Sequence, residues 1–523
     1  MRPFDNRRSA SAAIPMHSEI QLNIGMISNK SLEILILILF LTGLGIAGCC
    51  SGQKTMNGEA FWTSRDCTER SCPSTDIHSI MPEGRLRDQE TPATAEPSRW
   101  YMVFLLFWAT ILSYVDRGII NILVPDLRRS LGLSEMEVSL LQGISFSLCF
   151  AIAGLAIGVL VDRFNRRTII VVGILCWSAA TMLCGLSHSF WQLFAARSVV
   201  GIGEACLLPA AFSMIGDRFP ADRRGLPISV MSAATCVGGT AAPLVGGLIL
   251  YSLGSGGTVT IPALGAIETW RASFLIAGAP GVLFALLMAT LREPIRVVQQ
   301  RREIYGESYA LFLAARWRVF LPLYPAFSFI AMVGYASAYW APTVLIRNYG
   351  YAPAAAGVAI GIVLFPGGVL GPLLGGIIGD RLARTNNGYG RLRAWFGGTL
   401  PILAGAICFA ANGPAWLFLI ALFVAQATTG GIGGIGYAAL YDVVPRQFQG
   451  RAMAVNMLGS NILGLGAGVT AVAFLTQYIF RNDLMVHLSI AWLVGFAALV
   501  SPLLVVVQLR GYRALRASLT DAA

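Results

Sequence analysis

The stretch Gly158-Val159-Leu160-Val161-Asp162-Arg163-Phe164-Asn165-Arg166-Arg167 decides the fold, because a shorter echo of it returns as Gly376-Ile377-Ile378-Gly379-Asp380-Arg381. In both places a glycine near the end of an apolar run is followed four residues later by an Asp-Arg pair. A second signal runs in step with the first. Asp217 and Pro220 close one apolar run, and Asp442 and Pro445 close another with the same spacing. Two echoes in register imply a chain built from two parallel halves.

The runs between these signals lie near 101–124, 138–161, 168–187, 190–215, 226–251, 271–291, 319–346, 353–379, 394–412, 415–441, 452–480 and 484–509. At about 1.5 Å per residue each crosses a hydrocarbon layer of about 30 Å as a helix. The runs are continuous and rich in Leu, Ile, Val, Ala and Gly, which excludes the alternating pattern of outer-membrane strands. Composition agrees: 55% of residues are hydrophobic and 12% charged, about half the charge of a soluble protein. The expected fold is therefore an all-α membrane protein of twelve transmembrane helices in two six-helix bundles, with the bilayer as its main partner.

A net charge of +11 would suit nucleic acid, but the arginines form short clusters between apolar runs and no continuous basic face, so no nucleic acid is expected. They fall in every second connection: Arg163, Arg166 and Arg167; Arg218, Arg223 and Arg224; Arg292, Arg296, Arg301 and Arg302; Arg381, Arg384, Arg391 and Arg393; Arg446 and Arg451; Arg510, Arg513 and Arg516. The opposite loops hold chiefly Arg128, Arg129, Arg347 and Arg481. The positive-inside bias places the arginine-rich face and both ends of the bundle in the cytoplasm of an inner (plasma) membrane.

The expected organisation is an N-terminal extension 1–98, a first bundle 99–292, a cytoplasmic linker 293–318, a second bundle 319–510 and a short tail 511–523. The extension is polar and unpatterned apart from a short apolar run from Ile34 to Ala47, which follows Lys30 and ends in a lipoprotein-like Ile46-Ala47-Gly48-Cys49. It also holds both lysines of the chain, Lys30 and Lys54. So sharp a change suggests a start-site artefact or a fusion, with Met81 or Met102 as alternative initiators.

The stretch 158–167 resembles the loop signature of the major facilitator superfamily, and within it the chain is similar to the spinster-like transporters. That second likeness rests on Ser113-Tyr114-Val115-Asp116-Arg117, on Arg197 with Gly201-Ile202-Gly203-Glu204-Ala205, on Asp217-Arg218-Phe219-Pro220 and on Trp270-Arg271. It covers residues 100–510 and is stronger in the first half. The resemblance implies alternating access by two rocking bundles, acting on an amphipathic, lipid-like solute or organic acid. Gly158, Asp162, Arg163, Arg166 and Arg167, with Gly376, Asp380 and Arg381, are the expected cytoplasmic gate. Gly158 would let two helices approach, Asp162 would meet a neighbouring helix end or an arginine, and Asn165 would stand for a turn-forming glycine.

Four ionisable residues fall inside apolar runs, where a charge costs at least ~2.5 kcal/mol and marks function. Asp116 lies about 22 Å along a helix that enters from the cytoplasm, and Arg197 about 10 Å along one that descends toward it, so the two can meet. Glu204 follows Arg197 by seven residues and returns to the same face. Asp116 and Glu204 are expected to carry protons, with Arg117 and Arg197 as partners that change with conformation. The expected setting is a wet crevice between the halves. A fixed structural ion pair is the alternative.

Gly238, Gly239, Pro243, Gly246 and Gly247 resemble the glycine-proline helix linked with antiporters, which tilts the reading toward export, although close packing selects the same residues. Tyr335 with Tyr339, Tyr437 with Tyr441, and Asn456 with Asn461 would line a cavity for an amphipathic ligand. Gly431, Gly433 and Gly436 fit the dinucleotide pattern, but no strand precedes them, so packing is the better reading. The cysteines of the apolar runs are scattered singly and lack metal-ligand spacing. No nucleophile elbow, phosphate loop or metal set appears, so no enzyme, cofactor or metal is expected. What remains is a monomeric proton-coupled secondary transporter of a small-molecule substrate. Proton-coupled uptake of a small carboxylate and a non-transporting solute sensor are the alternatives.

Overall fold

The computed structural model describes residues 96–220, 223–254, 257–261, 265–294, 309–385, 390–445 and 448–521. The signal-like run and the other readings of residues 1–95 lie outside the described residues. Twelve helices are long and apolar enough to cross a membrane: α1 (Arg99–Asn121), α2 (Glu135–Gly158), α3 (Arg166–Gly185), α4 (Phe190–Arg218), α5 (Gly225–Leu253), α6 (Thr269–Ala289), α7 (Trp317–Tyr349), α8 (Pro353–Arg384), α9 (Gly390–Ala410), α10 (Ala415–Asp442), α11 (Gln449–Phe480) and α12 (Asp483–Leu519). They correspond one to one with the apolar runs of the sequence.

Local chemistry sets the helix ends. Ser134 opens α2 with a capping box, its side chain accepting from the Glu137 N–H while Glu137 accepts from the Ser134 N–H. Asn165 is not in a left-handed turn. Its φ of −63° is ordinary, and its side-chain oxygen accepts from the Thr168 N–H to cap α3. The glycine-like role expected of it is replaced by that of an N-cap.

Two departures from the twelve-helix expectation have local causes. The connection between α5 and α6 folds into an antiparallel hairpin of β1 (Thr258–Ile261) and β2 (Gly265–Glu268). A run of β-branched residues and a glycine at φ +73° favour it. The tail expected after residue 510 is instead an uninterrupted continuation of α12, since the helix runs from Val486 to Asp521. Buried Tyr512 holds it, donating its hydroxyl to the Ala439 carbonyl at 3.0 Å.

The halves touch along two seams. In one, α5 meets α8 so closely that a Cβ at Gly247 would lie 2.8 Å from the Ala354 carbonyl oxygen. In the other, a Cβ on Gly143 of α2 would lie 3.1 Å from the carbonyl oxygens of Leu465 and Gly466 on α11. There α11 is wound as a π-helix over Ser460–Ala467, a form common where helices carry function. Toward the arginine-rich face the picture changes. Cβ atoms added at Gly154, Gly158 and Gly376 would meet nothing within 4 Å. The close approach expected at Gly158 is therefore absent, and the space beside both signature glycines is open.

Candidate functional site

Helices α1 and α4 are both interrupted beside the ionisable residues. The α-helical part of α1 ends at Gly118 and passes into a 3-10 turn over Ile119–Asn121. In α4 the regular winding lapses at Ala205 and Cys206, just after Glu204. Inside a bilayer the carbonyls freed by such breaks need partners. Arg197 supplies them, donating to the main-chain oxygens of Asp116 at 3.2 Å and Arg117 at 3.1 Å. It also reaches the Leu141 carbonyl of α2 at 3.5 Å.

Arg117 and Glu204 form a buried ion pair at 2.7 Å, and Ser113 donates its hydroxyl to the same carboxylate oxygen at 2.7 Å. The Arg117 guanidinium sits over the rings of Phe146 at 4.2 Å and Tyr114 at 4.7 Å, a cation-π setting that holds its position. Its Nε has no hydrogen-bond partner, and Tyr335 and Tyr339 of α7 lie within electrostatic reach of it.

Asp116 differs. It is fully buried, and neither carboxylate oxygen has a hydrogen-bond partner. The Trp177 indole lies close enough to act on it, yet its N–H closes no hydrogen bond either. The expected meeting of Asp116, Arg197 and Glu204 is thus present, with different partnerships. Arg197 holds the backbone of Asp116, and Glu204 holds Arg117. The setting is also corrected: Asp116 and Arg197 are 0% exposed and Glu204 3%, so the cluster sits inside the first bundle.

The expected aromatic wall is partly assembled. Tyr335 and Tyr339 pack edge to face at 5.9 Å, whereas Tyr437 stacks on Phe327 at 5.9 Å rather than on Tyr441. Asn456 is buried and Asn461 half-buried, each with an unpartnered side-chain oxygen, and Gln426 and Thr429 of α10 share that state. The last two carried no signal in the sequence beyond being polar within an apolar run. In α5, Gly238 packs on Tyr114 and Ile111, Gly239 lies beside Tyr114, Gly246 faces Ile122, Gly247 faces α8, and the Pro243 carbonyl lies against Gly357. Gly431, Gly433 and Gly436 lie within one continuous helix, with Gly431 against α8 and Gly436 against Phe327 and Trp395.

At the arginine-rich face, Arg166, Arg167 and Asp380 bond within their own halves. Arg166 is buried and pairs with Asp217, with Glu293 at 2.8 Å, with Ser213 at 3.0 Å and with the Pro294 carbonyl at 3.0 Å. Glu293 also accepts the N–H groups of Arg166 at 3.2 Å and Arg167 at 2.9 Å, capping α3 from outside its own sequence. Burial pushes the Glu293 carboxyl up, but the Arg166 side chain and these two N–H groups outweigh it and hold it below the ordinary glutamate range. In the second half Arg391 takes the equivalent place, pairing with Asp442 at 2.5 Å and Asp380 at 3.4 Å. Arg163 and Arg381 are exposed, and the Asp162 side chain lies outside the described residues.

The arginine-poor face holds a cluster the sequence reading missed. Glu135 at the start of α2 is 1% exposed and receives both Arg128, at 2.9 Å, and Arg347 of α7. Arg128 also pairs with Asp483 of α12 at 2.8 Å, and the Met136 N–H donates to Gln477 of α11 at 2.9 Å. Asn348 donates to His487, which is 6% exposed. Arg347 with Glu135, Arg128 with Asp483 and Met136 with Gln477 join the halves. Their residues had entered the reading as topology signals or not at all.

Comparison with known proteins agrees with this architecture. The chain is similar to an "MFS-type efflux pump" of Mycolicibacterium smegmatis, 30% identical over 287 residues that span 54% of this chain and 63% of the pump. It is also 28% identical over 347 residues to a "Probable L-galactonate transporter" of Escherichia coli, covering 62% of this chain and 69% of that one. Among solved structures, a bacterial homologue of the human lysosomal transporter Spinster, inward-facing and unoccupied, superposes with a TM-score of 0.68 at 24% identity, covering 82% of this chain and 98% of that one. These relatives are transporters or pumps, not enzymes. The Major Facilitator Superfamily model matches residues 106–465, and with its twelve apolar helices this multi-pass membrane protein belongs to that superfamily.

Proposed function

We propose that the chain is a monomeric secondary active transporter that couples proton movement to passage of a small amphipathic organic anion by alternating access. Its arginine-rich face lies in the cytoplasm of the plasma membrane, and the present conformation is the inward-open one. The observation that carries this reading is the contrast between two buried acids of one cluster. Glu204 is paired with Arg117, while neither carboxylate oxygen of Asp116 has a hydrogen-bond or ion-pair partner.

A buried carboxylate without a partner costs several kcal/mol, so in this reading Asp116 holds a proton here. Protonation of Glu204 would free Arg117, whose position beside Tyr335 and Tyr339 suits the anionic group of a substrate. Arg197 then acts less as a switching partner than as a clamp that keeps the break in α1 fixed to α4. The orphaned oxygens of Gln426, Thr429, Asn456 and Asn461 would take the donors of the cargo.

Export is the direction favoured by the α5 pattern and by the similarity to an efflux pump. Proton-coupled uptake of a small carboxylate is the second reading, favoured by the similarity to a sugar-acid transporter. Transport into inverted and right-side-out vesicles separates the two. The coupling itself is tested with Asp116→Asn in proteoliposomes. Transport driven by a pH gradient is lost while exchange at equal pH persists; an unchanged pH dependence overturns the assignment.

A further inference from the structure

The N-terminal end of α7 and the C-terminal extension of α12 enclose a surface cavity of about 460 Å³, which no part of the transport reading uses. Gly511, Ala514, Leu515 and Ser518 form one wall, at the spacing of a single helix face. Arg316, Trp317 and Arg318 form the other. The Arg316 guanidinium is stacked over Phe312 at 4.3 Å and that of Arg318 over Trp317 at 5.7 Å. Neither has a carboxylate partner among the described residues. Stacking fixes two positive charges in place while leaving their hydrogen-bonding edges unspent.

Depth identifies the occupant. The apolar part of α12 ends near Leu509, so residues 511–518 extend from about 3 to 13 Å beyond it, which overlaps the headgroup layer. Trp317 is 55% exposed at the same level, the place of an interfacial aromatic anchor. Val319 and Leu515 form the buried floor of the cavity, and one turn beyond Trp317 the exposed apolar face of α7 continues with Leu321, 63% exposed. The same Arg-Trp pair recurs as Arg99-Trp100 at the start of α1, beside a smaller cavity of about 320 Å³.

We propose that the α7/α12 cavity is a binding site for the phosphate headgroup of an anionic phospholipid, gripped by Arg316 and Arg318. The two acyl chains would descend along Trp317 and Leu321. Since α7 and α12 both belong to the second half, an occupied site braces that bundle at the membrane surface.

The test is native mass spectrometry of the purified full chain, titrated with phosphatidylglycerol, with phosphatidylcholine of the same acyl chains, and with inorganic phosphate. Phosphatidylglycerol adducts are expected, and they weaken about fivefold for each arginine removed and roughly 30-fold in Arg316→Gln/Arg318→Gln. Ala514→Glu, an exposed change to another good helix former that sets an anion in the cavity, gives a similar loss and serves if the double variant does not fold. Equal binding of phosphatidylcholine, a match by phosphate alone, or undiminished phosphatidylglycerol binding in these variants would overturn the proposal.

Discussion

Replacing Glu135 by Gln removes the charge at the centre of the arginine-poor face and should shift the balance between the two open states. Arg128 would keep the Leu133 carbonyl at 3.1 Å and Asp483 at 2.8 Å. Arg347 would keep only the Asp483 carbonyl at 3.4 Å. Truncating a buried charge pair costs 2–5 kcal/mol, and because Arg128 is not orphaned the lower part of that range applies. The Arg347–Glu135 pair crosses the halves and exists only while this face is closed, so a loss of about 2–3 kcal/mol there moves the ratio of the states by roughly 30- to 150-fold. Spin labels at Arg129→Cys and Arg481→Cys, in a background without native cysteines, report the distance across the face by pulsed electron resonance. A longer distance should grow from a minor to a major population in Glu135→Gln. Glu268→Gln is the control, because that acid bonds to Ser130, Trp270 and Arg271 of the first half. An unchanged distribution in Glu135→Gln, or an equal change in the control, would refute the idea that this cluster holds the face shut.

Other expectations follow from the same geometry. Arg197→Met leaves the carbonyls at the α1 break without their donor and should cost about 3 kcal/mol, seen as a lower Tm in detergent that Arg197→Lys restores only in part. Gly247→Val forces a side chain against the α8 backbone and should abolish transport by proteoliposomes. Gly158→Leu, which meets open space here, should leave the Tm nearly unchanged while slowing transport. Because the folded-state pKa of Glu293 is depressed, its contribution is present above its unfolded value of about 4.3 and is lost as pH falls through the folded one. The Tm difference between the wild type and Glu293→Gln should therefore be full at neutral pH and shrink below about pH 4.

The body of the fold was legible because a bilayer imposes length and continuity on every span, and the two Asp-Arg echoes exposed the duplication. That Asp116, Arg197 and Glu204 fall near one another was legible from helical rise and heptad spacing alone. Their pairing was not, because the strongest claims on Arg197 come from main-chain carbonyls released by a helix break, and no side chain advertises those. The Glu135 cluster escaped for a different reason. Arginine counts in loops report topology, and the few on the sparse side looked like background until folding brought Arg128 and Arg347 onto one buried acid. Asn165 shows a similar limit, since a residue suited to a left-handed turn is equally suited to capping a helix.

The unbroken helix from Val486 to Asp521 holds 36 residues, a rod of about 54 Å. Riveted to α10 through Tyr512, it would swing with the second bundle if the halves rock as proposed, a lever whose tip lies about 18 Å beyond the apolar run that ends near Leu509. A small fluorophore on that tip, paired with one on the first bundle, would convert each transport stroke into a change of energy transfer, read from the water phase without disturbing the cargo path.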